Sequence, residues 1–318
     1  MSTATDGAPA SAPPRPELWR ALGALVGPPT PDREPLARAL ELGPLPSPAE
    51  FTELFVLQLP PYASIYLGPE GMLGGEARDR IAGFWRAVGR TPPAEPDHLA
   101  VLLGLVAALG EEGEGKAAAT GSDAEADRRQ GRSRAPLVRH AGQALLREHL
   151  IPWLPPYLLK VEQEGASFYR RWAELLLQAL EEGVAGTEGD DGAAAADHAG
   201  APEPGTEEPT GSGPFDDLPD FLLTPARSGL ILTRGDLLRS SRSRGLPLRI
   251  GERRFSLKAM LGAALDETLA WLGEEARAWE ERHRRWAHLD GPWARRWEDR
   301  ARMTRILLEE AAAGPSGP

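Results

Sequence analysis

The chain has no cysteine among its 318 residues. This absence excludes disulfide bonds, cysteine-ligated zinc, iron–sulfur clusters and thiol catalysis. No apolar run approaches the ~18 residues of a transmembrane helix, and residues 1–15 lack the basic and apolar segments of a secretory signal. Basic residues are also in deficit, with 36 Lys and Arg against 47 Asp and Glu, which disfavours nucleic acid as the main partner. We therefore expect a cytoplasmic protein without a membrane span.

Enzyme signatures are missing as well. The chain contains no GxxxxGK[ST] phosphate loop, no GxGxxG after a strand, no HExxH and no Gly-x-Ser-x-Gly elbow. Its six histidines, at positions 98, 140, 149, 198, 283 and 288, do not have the spacing of a metal-ligand cluster. We expect a protein that catalyses no reaction and binds no cofactor or metal.

What the sequence does have is helical periodicity. Ile81, Phe84, Trp85 and Val88 share one helical face, and the stretch 99–109 is apolar all round, as in a buried central helix. Five tryptophans spaced for a helix–helix seam follow near the C-terminus: Trp271, Trp279, Trp286, Trp293 and Trp297. The predicted fold is an all-α helical bundle with a C-terminal helical extension, and only residues 248–255 have the pattern of a small β-hairpin.

Composition divides the chain into segments. Residues 1–15 are predicted to be a disordered tail and residues 16–183 a helical domain, interrupted by a mobile loop at 110–134. From Glu181 to Asp220 there are twelve acidic residues and no Lys or Arg, which predicts an acidic disordered linker at 184–214. Residues 215–312 form the helical extension.

The extension begins with a basic segment, residues 227–258, in which nine basic residues face two acidic ones. It is interpreted as a solvated face, as a partner of the acidic linker, or as a surface for an acidic patch on another protein. A fourth interpretation is regulatory, because Thr233 to Leu238 followed by basic residues loosely suggests a DNA-binding helix-turn-helix.

The candidate site lies in two irregular corners that flank the helix containing Trp85. Carboxylates and exposed aromatic rings are the groups that bind a guanidinium ion, and the corners offer both. Phe51, Phe55 and Trp85 are candidates to line an adjacent apolar groove. The predicted peptide-binding residues are Pro61, Tyr62, Ser64, Tyr66, Glu70, Glu95, Pro96, Asp97 and His98.

Two other roles for the second corner remain open at this point. Asp97 is placed to cap the apolar helix that begins at Leu99, with His98 packed over its first turn. Asp97 and His98 could also act together as the catalytic base of an enzyme. This is the weakest of the three interpretations, after peptide binding and helix capping.

Three segments in order resemble the TorD/DmsD family of redox-enzyme maturation chaperones. They are Pro61-Tyr62-Ala63-Ser64-Ile65-Tyr66-Leu67 followed by Glu70 and Leu73, then Glu95-Pro96-Asp97-His98-Leu99, and then His149-Leu150 with Trp153 ahead of Phe168-Tyr169. The resemblance covers roughly residues 16–183. It implies an all-helical cytoplasmic protein that binds the twin-arginine signal peptide of a molybdoenzyme and holds the apoenzyme until its cofactor is inserted. In this family the peptide contacts lie in the same two corners.

Overall fold

A computed structural model describes residues 15–69, 71–117, 134–185, 217–246 and 251–313. Every regular element in these ranges is a helix, and the strand-like pairing among them is an isolated bridge between Tyr62 and His98. The all-α prediction is confirmed. The tail at 1–14 and most of the predicted linker, from residue 186 onward, lie outside the described ranges.

The N-terminal body, residues 15–185, contains nine α-helices among its described residues. Two π-helical segments, Thr52–Gln58 and Leu145–Leu150, and a 3-10 turn at Pro31–Arg33 supplement them. The α-helices are α1 (Pro16–Ala24), α2 (Glu34–Ala39), α3 (Pro48–Phe51), α4 (Ala63–Leu67), α5 (Gly75–Ala87), α6 (Leu99–Ala117), α7 (Arg134–Ala144), α8 (Leu154–Glu164) and α9 (Ser167–Ala185).

Helix α6 is the centre of this body. Leu99, Leu102 and Leu103 are fully buried on it, and α1 and α7 pack against its sides. A side chain at Gly23 of α1 would lie 3.1 Å from the carbonyl oxygen of Ala100, so the close approach of α1 to α6 depends on a glycine. The apolar pattern of 99–109 therefore marks the core helix, as predicted.

The predicted start of the loop, at residue 110, is wrong. Helix α6 continues to Ala117, since Glu111 and Glu112 pair with Arg20 and Arg90 of neighbouring segments. These ion pairs and the helix-forming glutamates extend the helix beyond its apolar part. Residues 118–133 are outside the described ranges.

The C-terminal region, residues 217–313, is also helical where described. The predicted hairpin at 248–255 is wrong, because Arg253–Phe255 open a helix; residues 247–250 are not described. A two-stranded hairpin of this length has too little to bury, whereas the helix buries Leu257 and Met260. The helices are α10 (Leu218–Leu223), α11 (Pro225–Ser228), α12 (Arg234–Arg244), α13 (Arg253–Ala263), α14 (Leu265–Arg285) and α15 (Gly291–Ala313).

The predicted tryptophan seam joins α14 to α15. Trp279 and Trp297 are fully buried between the two helices, and the imidazole of His283 stacks on Trp279 with ring centroids 5.2 Å apart. The Nε2 atom of His283 lies 2.8 Å from the carbonyl oxygen of Gly229, and its Nδ1 accepts a bond from Trp286. Burial lowers the pKa of His283 to about 4.

The C-terminal region shares one hydrophobic core with the N-terminal body. Trp297 donates to the carbonyl oxygen of Pro152 at 2.8 Å, and α11 packs against α4. The amide of Gly235, at the start of α12, donates to the side-chain oxygen of Gln58 at 2.9 Å. The extension is therefore packed directly behind the first corner of the candidate site.

Charged groups are buried at this contact. Lys160 of α8 is 1% exposed, and its ammonium group lies 2.9 Å from Glu164 and 2.7 Å from Asp236 of α12. Arg239 of α12 bonds to both carboxylates from the solvent side. We call these four residues the junction cluster. Burial opposes ionisation of Glu164, but its bonds to Arg239 and Lys160 lower its pKa to about 2.

Candidate functional site

The two predicted corners meet as a short antiparallel pair. The amide of Ala63 donates to the carbonyl oxygen of Asp97 at 3.1 Å, and the amide of Leu99 donates to that of Pro61 at 2.8 Å. The preceding Pro60-Pro61 pair cannot continue the π-helical segment, because proline has no amide hydrogen and a fixed φ. Tyr62 and His98 therefore lie side by side, although 36 positions separate them in the sequence.

Asp97 holds this pairing together from inside. Its Oδ2 atom accepts a hydrogen bond from the amide of Ser64 at 3.2 Å, and the residue is 2% exposed. The prediction that Asp97 caps the helix beginning at Leu99 is therefore wrong: its carboxylate serves the first turn of α4 instead. The hydroxyl of Ser64 in turn accepts from the amide of Gly74 at 3.2 Å, which ties the loop before α5 to the same point.

His98 starts α6. Its Nδ1 atom accepts from the amide of Ala100 at 3.2 Å, so the neutral ring carries its hydrogen on Nε2. Burial lowers its pKa, although the charges of Glu95 and Asp97 oppose that shift. The ring meets Tyr62 edge to face, with centroids 4.8 Å apart. At neutral pH this is an uncharged aromatic pair, half exposed to solvent.

Glu95 is the exposed acid beside the pair. Partial burial of Tyr62, together with the hydrogen bond and negative charge of Glu95, raises the tyrosine pKa to about 12. The phenol is therefore a neutral donor to the Glu95 carboxylate at pH 7. We call Tyr62, Glu95 and His98 the notch, because these three are accessible among the eight predicted residues that the structure describes.

The remaining predicted residues are buried or undescribed. Tyr66 is 2% exposed, stacks on Trp153 and donates to the carbonyl oxygen of Pro60 at 3.0 Å. Glu70 lies outside the described residues. Five predicted residues are buried within the two corners: Pro61, Ser64, Tyr66, Pro96 and Asp97.

The predicted apolar groove is not formed as expected. Phe55 is 3% exposed and lies in the core against Tyr169 and Trp172, so it cannot receive a partner. Trp85 is half buried and donates to the carbonyl oxygen of Pro96 at 3.3 Å, which fixes the second corner. Helical periodicity alone placed both residues on apolar faces and gave no sign of these separate roles.

The sequence interpretation missed an apolar pair beside the notch. Met72 and Leu73 are 66% and 62% exposed in the loop before α5. Helical spacing does not reveal them, because they stand in a glycine-rich loop. The signal was the local sequence Gly71-Met72-Leu73-Gly74, in which two large apolar side chains have no regular element to bury them.

The two alternative interpretations receive no support from the geometry. The Nδ1 lone pair of His98 is taken by the amide of Ala100, and the carboxylate of Asp97 is buried at 2% exposure and bonded to the amide of Ser64, so the two residues do not present a base to a substrate. At least four of the nine basic residues in the basic segment have partners within the chain: Arg239 and Arg244 pair with acids, Arg253 donates to the carbonyl oxygen of Leu232, and Arg254 pairs with Asp220.

The described residues lack two further features. No helix there is both long and apolar enough to cross a membrane. No group of three or more His, Asp or Glu in those ranges could hold a metal ion.

Comparison with known families bears on the body that carries the notch. Residues 27–158 match the family described as the nitrate reductase delta subunit. This family belongs to the NarJ/TorD type of molybdoenzyme maturation chaperones, which are not catalytic. The match covers both corners but less than half of the chain, and it supports the chaperone family without resolving the TorD/DmsD branch. No curated protein and no solved structure matches the chain significantly.

Proposed function

We propose that this protein is a cytoplasmic chaperone for a molybdenum-cofactor oxidoreductase of the nitrate reductase or dimethyl-sulfoxide reductase kind. It binds the twin-arginine signal peptide of the apoenzyme and holds that subunit for cofactor insertion before export. The observation that carries the proposal is the pairing of Tyr62 with His98, which displays two aromatic rings next to the exposed carboxylate of Glu95. The chaperone-family match over residues 27–158 supports it independently.

The chemistry of the notch suits an arginine pair. A guanidinium ion stacks on an aromatic face and donates in-plane bonds to a carboxylate, so Tyr62 and Glu95 can serve one arginine together. The lowered pKa of His98 keeps its imidazole uncharged at neutral pH, which avoids repelling the second arginine. Asp97 and Ser64 then act as positioning residues that hold the two corners in register.

The test is a titration of the full chain with a synthetic peptide that contains two consecutive arginines followed by an apolar stretch. Tyr62→Ala and Glu95→Gln should each weaken binding about tenfold, because each removes an interaction of about 1.4 kcal/mol. Replacing both arginines by lysines should weaken binding similarly, since lysine lacks the planar fork.

Glu76→Gln is the matched control, because Glu76 is an exposed glutamate of α5 outside the notch. Its affinity should equal that of the wild type. Unchanged affinity for Tyr62→Ala and Glu95→Gln, with the fold intact, would remove the notch as the binding site. Failure of the wild-type chain to bind the peptide would refute the proposed function itself.

A further inference from the structure

Three large apolar side chains are exposed on segments around α10. They are Met72 and Leu73 of the N-terminal body, at 66% and 62% exposure, and Phe255 of the C-terminal region, at 58%. Exposed apolar side chains that cluster on a folded surface are typical of interaction sites. They come from two parts of the chain that are about 180 residues apart, so only the packing of the C-terminal region associates them.

Helix α10 and Thr224, which follows it, connect the two segments. A side chain at Gly71 would lie 3.3 Å from the Cα atom of Thr224, so the Met72–Leu73 loop runs directly against the end of α10. On the same helix Asp220 pairs with Arg254 at 2.7 Å, one residue before Phe255. Thr224 and Asp220 are one helical turn apart and are themselves hydrogen-bonded. The loop and the start of α13 therefore contact the same short helix.

The orientation of Phe255 is fixed by its neighbour Arg253. That guanidinium is buried and donates to the carbonyl oxygen of Leu232 at 2.7 Å, so the side of α13 that carries Arg253 faces inward. Successive helical residues differ by about 100° in direction. Phe255, two residues on, consequently points away from Arg253 into solvent, which agrees with its exposure.

The Met72–Leu73 loop is also tied to the corner that carries Tyr62. The amide of Gly74 is bonded to the hydroxyl of Ser64, and Ser64 is two residues from Tyr62. An extended peptide advances about 3.3 Å per residue. A chain with an arginine over Tyr62 therefore reaches the Met72–Leu73 loop within a few residues.

We propose that Met72, Leu73 and Phe255 form a composite shelf that receives the apolar stretch following the arginines of the bound peptide. The inference rests on the proposed function and extends it, because it makes the C-terminal region part of the binding site. The acid and rings of the notch match the cationic half of such a peptide, and the shelf matches its apolar half. In this arrangement a chain without the C-terminal region lacks Phe255, so its shelf is incomplete.

The experiment uses the full chain and two peptides. The long peptide contains two arginines and the apolar stretch, and the short one ends directly after the arginines. Phe255→Ser should lose about tenfold in affinity for the long peptide, because it removes one large apolar contact, and the double variant Met72→Ser/Leu73→Ser, which removes two, should lose at least about tenfold. Neither variant should change affinity for the short peptide. Phe255→Leu, which keeps an apolar side chain, should retain most of the binding.

Met303→Ser is the matched control, since Met303 is 63% exposed on α15. It should bind both peptides like the wild type. If Phe255→Ser binds the long peptide as tightly as the wild type, the shelf is excluded while the notch stands. An equal loss on both peptides would also exclude it, because that pattern indicates a general defect. If the wild type binds neither peptide, the proposed function fails and the shelf fails with it.

Discussion

The notch and the junction cluster both contain acidic side chains but use them in opposite ways. In the notch an acid and two aromatic rings are held half exposed by backbone hydrogen bonds beneath them. In the junction cluster two acids and two bases are held together by one another, with Lys160 1% exposed. Glu95 is left with solvent on one side, whereas Asp236 also caps α12 and bonds Lys160 and Arg239.

This difference separates binding from stability. A charge that is paired and buried inside the chain is unavailable to a partner, and its loss leaves an uncompensated charge in the interior. An exposed charge contributes little to the fold and retains its capacity to bind. Substitutions of buried and of exposed charged groups test that division.

The largest effect is expected at Lys160. Lys160→Met leaves Glu164 and Asp236 adjacent without their buried cation, and it should lower the free energy of unfolding by about 4 kcal/mol. Lys258→Met is the matched control, because Lys258 is exposed on α13 and its loss should cost less than about 0.5 kcal/mol. Urea denaturation measures both. Equal stability of the two variants would show that the junction cluster does not fasten the C-terminal region.

The second effect is a pH dependence of the free energy of unfolding that is due to His283. Its folded pKa is about 4 against an unfolded value of 6.5, so between these values the unfolded chain binds the proton and the folded chain does not. The stability that this histidine provides is present above pH 6.5 and is lost as the pH falls towards 4, by about 3 kcal/mol in total.

Denaturation curves of the wild type and His283→Phe, recorded from about pH 7.5 to about pH 4, measure this contribution. The variant should have a shallower pH dependence, because its ring does not titrate. His149 has a similarly lowered pKa of about 4 through burial, so a dependence remains in the variant. Parallel curves for the two proteins would argue against a neutral buried His283.

The third effect distinguishes the roles of two acids in the same corner, Asp97 in stability and Glu95 in binding. Asp97→Ala removes the cap of α4 and should cost about 1 to 2 kcal/mol of stability, with weaker peptide binding as a consequence of the disturbed pairing. Glu95→Gln should leave thermal unfolding unchanged and weaken binding alone. Thermal melts and peptide titrations of both variants check this division. Loss of stability in Glu95→Gln would contradict the assignment of Glu95 to the surface.

The sequence predicts the local part of this architecture. Apolar periodicity identifies the helices around Trp85 and Leu99, and the tryptophan spacing predicts the α14–α15 seam, because both signals arise from neighbours on one helix. The resemblance also places Tyr62 and His98 in one site, and the structure brings them together.

Long-range hydrogen bonds could not be predicted in the same way. Asp97 lies two residues before the start of α6, yet its carboxylate accepts a hydrogen bond from Ser64, 33 residues earlier. Lys160 bonds Asp236 across 76 residues, and the sequence offers no signal for that pair among the other charges. The exposure of Phe255 is equally invisible in the sequence, because it depends on which surfaces the C-terminal region covers.

The smallest effect is expected at the ion pair between Arg254 and Asp220. Its two side chains are 54% and 44% exposed, so water and salt screen their attraction. Arg254→Ala should therefore change the free energy of unfolding by less than about 1 kcal/mol, and by still less at high salt. Urea denaturation at low and high ionic strength measures the difference. A loss as large as that of Lys160→Met would mean that exposed pairs also fasten the C-terminal region, and the contrast between the notch and the junction cluster would no longer hold.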